Sequence, residues 1–120
     1  MTMDFVRDRP IYLQITDKLC GELIEGTLQP GDKLPSVREY AVTTGVNVNT
    51  IQRVYKELEM MALTETKRGQ GTFVTENHAA IVTLRENMKL RLIEQFFTDI
   101  TALGFTKDEM IEAIQKEVTK

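Results

Sequence analysis

The amino-acid sequence predicts a mainly α-helical fold that contains one small β-hairpin and ends in a two-helix tail. Three observations predict it. Apolar residues recur at helical spacing through most of the chain, capping motifs mark helix starts, and RGQGTFV places two glycines inside an alternating pattern typical of a hairpin. We interpret the arrangement as an α+β winged helix-turn-helix, residues 1–76, followed by a helical dimerisation tail, residues 77–120.

The composition limits the class of protein. A chain of 120 residues with 42% hydrophobic and 28% charged residues fits one small domain with an appendage and excludes two large domains. No apolar run approaches the roughly 20 residues of a membrane-spanning helix, and the acidic start lacks the apolar block of a signal peptide. We therefore expect a cytoplasmic protein that has no membrane partner.

The residue types that carry most catalytic and metal chemistry are scarce. Cys20 and His78 are the single cysteine and the single histidine, so an internal disulfide is excluded and a structural zinc site is not expected. The sequence contains no Ser/His/Asp set and no phosphate-binding loop. We expect no metal, no cofactor and no enzymatic activity.

The first helix follows Pro10, where apolar residues recur at three- and four-residue spacing as far as Gly26. Pro10 suits the first turn of this helix, and Gly26 is a typical stop. A turn at Pro30-Gly31 follows, and residues 32–34 could form a very short strand.

The next segment predicts a helix-turn-helix. Ser36 and Glu39 form a capping box, and Gly45 ends the short helix that the box begins. Asn47 then caps a second helix whose apolar stripe centres on Ile51. Two helices joined by a short glycine-containing turn are the helix-turn-helix pattern.

The face of the second helix opposite Ile51 carries amide and cationic side chains. It consists of Asn49, Gln52, Arg53 and Lys56. Amides suit adenine, guanidinium suits guanine, and ammonium suits phosphate. Although the net charge is −3, residues 33–72 contain six bases and four acids, so the local charge is positive.

The hairpin is predicted from strands at residues 63–66 and 72–74. Gly69 and Gly71 permit a positive-φ turn that brings backbone close to DNA without side-chain clash. The polar side chains around them suit phosphate or minor-groove contacts: Lys67, Arg68, Gln70 and Thr72.

The tail predicts two helices. Residues 79–103 form one long amphipathic pattern that Gly104 ends, and Thr106 with Glu109 forms a second capping box. Two helices cannot easily cover the long apolar stripe alone, so we expect a homodimer. The expected interface comprises Ile81, Leu84, Met88, Leu92, Phe96, Ile100 and Leu103.

The segments LPSVREYA, NVNTIQRVYKELE and RGQGTFV resemble the amino-terminal domain of the GntR family of bacterial transcription regulators, and RPIYLQI with the short tail resembles its YtrA-like subfamily. The resemblance implies that Arg38 contacts DNA and that targets lie near transporter genes. Val48 and Gln52 stand where many relatives have arginine, so the operator sequence is not transferred. The candidate DNA contacts are Ser36, Arg38, Asn47, Asn49, Thr50, Gln52, Arg53, Lys56, Lys67, Arg68, Gly69, Gln70, Gly71 and Thr72.

These predictions give a sequence-specific, double-stranded DNA-binding regulator. We expect a repressor that binds an inverted-repeat operator as a homodimer. The alternative is a winged-helix module that binds protein instead of DNA, which the negative net charge leaves open. The sequence identifies no small-molecule effector.

Overall fold

The structure is a computed structural model that describes Phe5 and residues 7–120. It confirms a mainly helical fold with one two-stranded antiparallel sheet. The chain divides into two compact units, Met1–Leu84 and Arg85–Lys120. Its elements are α1 Ile11–Glu25, α2 Val37–Thr44, α3 Val48–Met60, β1 Thr64–Lys67, β2 Gly71–Val74, α4 His78–Ala102 and α5 Lys107–Val118.

Helix α1 supplies one wall of the core of the first unit. Ile15, Leu19 and Leu23 lie on one face of the helix and are at most 4% exposed. Pro10 is the N-cap residue itself, one position earlier than the first-turn place that the sequence predicts. Gly26 ends the helix in the left-handed conformation, and its N–H donates to the carbonyl of Glu22.

The helix-turn-helix forms as predicted. The Ser36 hydroxyl accepts a hydrogen bond from the Glu39 N–H, and the Glu39 carboxylate accepts one from the Ser36 N–H, both at 3.1 Å. Gly45 ends α2 with φ 70°, and Asn47 caps α3 by accepting from the Asn49 N–H at 2.8 Å. Helix α3 then packs against both α1 and α2.

The hairpin is formed by β1 and β2 in the register Thr64↔Val74 to Lys67↔Gly71. Strand β1 is shifted by one residue from the predicted 63–66, and β2 begins one residue before the predicted 72–74 and ends where predicted. A third segment runs along the other edge of β2. The Leu34 N–H donates to the carbonyl of Thr72, and the Val74 N–H donates to the carbonyl of Asp32, both at 2.8 Å. The short strand expected at residues 32–34 is therefore a single bridge that pairs Lys33 with Phe73.

The tail contains the two expected helices. Helix α4 begins and ends one residue before the predicted 79–103, and the Phe105 N–H bonds the Ile100 carbonyl where Gly104 turns the chain at φ 86°. The capping box of α5 is present at Thr106. Among the described residues, no helix is long and apolar enough to span a bilayer.

The capping box at the start of α2 makes stability depend on pH. Hydrogen bonds from the Ser36 N–H and hydroxyl, with the Lys33 ammonium nearby, lower the pKa of Glu39 from its ordinary value of 4.5. Ionised Glu39 therefore stabilises the fold above that ordinary pKa, and the contribution is lost as the pH falls through the lowered value.

We expect Glu39→Gln to remove this pH-dependent part, because glutamine can keep the capping bond and does not titrate. Urea unfolding of both proteins between about pH 5 and about pH 3 measures it. The parent should lose more stability than the variant over this range, since all other carboxylates titrate in both. Equal losses of unfolding free energy in the parent and in the variant would contradict the role assigned to Glu39.

Candidate nucleic-acid interface

The outer face of α3 is open to solvent because the inner face is anchored in the core. Ile51 and Val54 are 0% exposed and Leu58 is 1% exposed. Positions on the other side of the helix cannot then turn inward. The side chains of this outer face are all exposed: Asn49, Gln52, Arg53 and Lys56.

Two aromatic side chains at α3 belong to the core. Tyr40 and Tyr55 are each 8% exposed, and their rings lie 6.1 Å apart. The Tyr55 hydroxyl donates to the carbonyl of Pro35 at 2.7 Å, and burial raises its pKa well above the usual range. This hydrogen bond ties α3 to the segment that leads into α2.

The outer face also borders α1, a contact that the sequence did not indicate. The guanidinium carbon of Arg53 lies 3.7 Å from the centre of the Tyr12 ring. An open groove of about 350 Å³ lies here, between the start of α1 and the first half of α3. It is lined by Ile11, Tyr12, Asn49, Thr50 and Arg53.

Two of the candidate contacts also cap helices. The Ser36 hydroxyl and the side-chain oxygen of Asn47 accept hydrogen bonds from backbone N–H groups at the starts of α2 and α3. The side-chain amide nitrogen of Asn47 takes no part in this capping hydrogen bond. Arg38 lies in the first turn of α2 and is exposed. These residues therefore combine a structural role with a position at the surface.

The tip of the hairpin depends on glycine. The Gln70 N–H donates to the Lys67 carbonyl at 2.9 Å, which closes a four-residue turn. Gly69 is the third residue of that turn and has φ 76°, the conformation that a type II turn requires there. Gly71 has φ 123°, and a Cβ atom on it would lie 2.8 Å from Cε of Lys33.

Lys33 is the cationic residue at the hairpin that sequence reasoning did not select. The bridge to Phe73 brings it beside the hairpin, where its side chain crosses Gly71. Lys67 lies on the same hairpin with its ammonium 4.8 Å from the centre of the Phe73 ring. In the sequence, the only sign of this cation was the excess of bases over acids in residues 33–72. That excess does not show that the segment around Lys33 pairs with the hairpin.

The structure places none of the predicted DNA contacts in the core. The exposed ones are Ser36, Arg38, Asn47, Asn49, Gln52, Arg53, Lys56, Lys67, Arg68, Gly69 and Gln70, and the half-buried ones are Thr50, Gly71 and Thr72. They lie on α2, α3 and the hairpin or at the N-caps of the two helices, all within the first unit.

A family model described as bacterial regulatory proteins of the gntR family matches residues 11–74, which span α1 to the end of the hairpin. The chain belongs to the GntR family. YhcF of Bacillus subtilis, an uncharacterized HTH-type transcriptional regulator, is 46% identical over 96% of this chain and 95% of its own length. The HTH-type transcriptional repressor YtrA of Bacillus subtilis is 37% identical over 89% of this chain and 83% of its own.

Solved structures share the fold. A GntR family regulator from Listeria monocytogenes has a TM-score of 0.85 at 39% identity, over 93% of this chain and 98% of that chain. The DNA-binding domain of AraR, solved in complex with operator ORX1, has a TM-score of 0.54 at 25% identity, over 62% of this chain and 93% of that chain. The family consists of transcription regulators and not of enzymes, so the protein is a GntR-family helix-turn-helix transcription regulator.

The turn geometry predicts opposite effects for alanine at two glycines. Gly69→Ala should destabilise the protein by about 1–2 kcal/mol because Cβ disfavours the left-handed conformation. Gly21→Ala is the matched control. Gly21 lies inside α1, and a Cβ atom there would meet nothing within 4 Å, so that variant should gain about 0.5–1 kcal/mol. Urea unfolding measures both. Equal effects of the same sign would contradict the assigned turn.

Proposed function

We propose that this GntR-family regulator is a homodimeric repressor that binds an inverted-repeat operator. Helix α3 enters the major groove, and the wing, residues 67–72, lies on the adjacent minor groove or backbone. The observation that carries the proposal is the exposed outer face of α3, which presents two amides, a guanidinium and an ammonium and no carboxylate. These are the groups that recognise base edges and phosphates.

The charges of the wing support the same proposal. Lys67 and Arg68 are exposed beside the turn at Gly69, and Lys33 adds a third cation beside Gly71. A glycine at the tip lets backbone approach a phosphate or a narrow groove closely. This local positive charge favours DNA over a protein partner despite the net charge of −3.

The tail supports a homodimer. In the second unit Ile100 is buried, at 5% exposure, while many large apolar residues are not. Leu92 is 61% exposed and Leu103 is 75% exposed. Ile81, Met88 and Phe96 are half-buried, and Leu84 is buried within the chain. Exposed apolar surface on this scale is typical of an interface, and a second copy would cover it by twofold symmetry.

Repression is proposed from the relatives. YtrA carries the name of a repressor, and the AraR domain was solved on an operator. A dimer bound across a promoter excludes polymerase without any catalytic step. We place the protein in the cytoplasm, where a bacterial chromosome is accessible, and we propose no metal and no cofactor.

Arg38→Ala and Arg53→Ala should each weaken operator binding by about 1–3 kcal/mol while the unfolding transition is retained. The operator would first be selected from random duplex DNA, and affinities would be measured at several salt concentrations. Each variant should also lower the slope of log affinity against log salt if its arginine contacts a phosphate.

Lys116→Ala is the charge-matched control for these arginines. It removes one positive charge from α5, where the ammonium is 3.3 Å from Glu112 and outside the candidate interface. Its operator affinity should match that of the parent. Unchanged affinity for both arginine variants, or equal losses for all three proteins, would contradict the proposed interface.

Leu92→Glu should convert the dimer into a monomer, because a carboxylate would be buried in an apolar interface without a partner. Sedimentation would then give the mass of one chain. Operator affinity should fall at least about tenfold, since two half-sites no longer act together. Asn87→Glu adds the same charge at an exposed polar position of α4 and should leave the dimer intact. A parent protein that sediments as one chain would contradict the dimer.

A further inference from the structure

We infer that Tyr12 is a positioning residue for DNA recognition: its ring holds the guanidinium of Arg53 in the orientation in which Arg53 contacts DNA. The inference rests on the proposed function and extends it to helix α1, which lies outside the helix-turn-helix. The observation that carries it is the 3.7 Å distance between the guanidinium carbon of Arg53 and the centre of the Tyr12 ring.

The contact is close enough to be a strong attraction. A guanidinium within about 6 Å of an aromatic ring centre is attracted by the ring's negative face. Among the described residues, Arg53 makes no salt bridge or hydrogen bond that would hold it instead. Arginine is otherwise a flexible side chain that loses rotamer freedom on binding. The Tyr12 ring therefore restricts Arg53 before DNA arrives.

A guanidinium carbon 3.7 Å above the ring centre implies that the guanidinium lies over the face of the ring, and this arrangement keeps Arg53 competent to bind. The donors of a guanidinium lie in its plane and point outward from its edges. A ring against one face leaves those edges free to bond a guanine edge or a phosphate oxygen. Arg53 is exposed and lines the same groove as Asn49, one helical turn away on α3. The groove thus presents a fixed planar cation beside an amide.

Helix α1 can perform this role because the core fixes its position. Ile15, three residues after Tyr12, is 0% exposed, and α1 packs directly against α3. The Thr16 hydroxyl also donates to the Tyr12 carbonyl at 2.7 Å within the first turns of the helix. The ring is therefore carried by a rigid element and not by a loop, which is the condition for positioning a partner side chain.

The test is a double-mutant cycle on the selected operator. Tyr12→Leu keeps apolar bulk and removes the aromatic face, so affinity should fall about two- to fivefold, the range expected for an exposed cation–π contact. Tyr12→Phe keeps the face and should bind as the parent does. In an Arg53→Ala background, Tyr12→Leu should have no further effect. The salt slope of Tyr12→Leu should equal that of the parent, because no charge is lost.

Four outcomes would overturn the inference. Equal losses from Tyr12→Leu in both backgrounds would show that Tyr12 acts without Arg53. No loss in either background would show that the stack does not matter for binding. Tighter binding by Tyr12→Leu would show that the ring withholds the guanidinium from DNA. A loss in Tyr12→Phe would assign the effect to the hydroxyl.

A measurement without DNA separates this inference from the proposed function. In the free protein, the Tyr12 ring should shift the NMR signals of the Arg53 side-chain protons upfield, and Tyr12→Leu should abolish the shift while Tyr12→Phe keeps it. Absence of the shift in the parent would overturn the stack itself. A parent protein that shows the shift but binds no duplex at any salt concentration would overturn the proposed function, and the positioning role with it.

Discussion

The burial of one side of α3 is the constraint on which the rest of the site depends. Ile51, Val54 and Leu58 are almost completely buried in the core, and the Tyr55 hydroxyl donates a hydrogen bond to the carbonyl of Pro35 that ties the helix to the segment before α2. Rotation of α3 would expose these apolar groups and break that bond, so the rotation is opposed by the hydrophobic effect and by a buried polar partner. The outer face stays free as a consequence.

The surrounding elements shape that free face in two different ways. On one side, α1 brings the Tyr12 ring against Arg53. At the hairpin, β2 is held by backbone hydrogen bonds to the segment that contains Lys33, whose side chain crosses Gly71. Glycine is favoured at position 71 because its φ of 123° is a conformation that residues with a Cβ atom rarely adopt, and the missing Cβ also leaves room for the lysine side chain. Both arrangements use residues far apart in sequence to place cations at the surface.

The local features of the fold could be predicted from sequence, because each depends on residues within one or two helical turns. The capping box of Ser36 with Glu39 is an example, since both hydrogen bonds join residues three apart. The stacking of Tyr12 on Arg53 and the place of Lys33 beside the wing depend on how distant elements pack, and no spacing in the sequence encodes that. The tail has the same limit. Helical periodicity predicted the apolar stripe of α4, but it did not predict which residues of that stripe are buried within a single chain.

The most direct test of the central claim is selection of bound fragments from random duplex DNA by the parent protein and by Gln52→Ala, a variant of the outer face of α3. The parent should enrich one inverted repeat whose half-sites lie one helical turn, or a multiple of it, apart. Gln52→Ala should relax the preference at one position in each half-site and keep the others. An identical motif for both proteins, or no shared motif for the parent, would contradict the account.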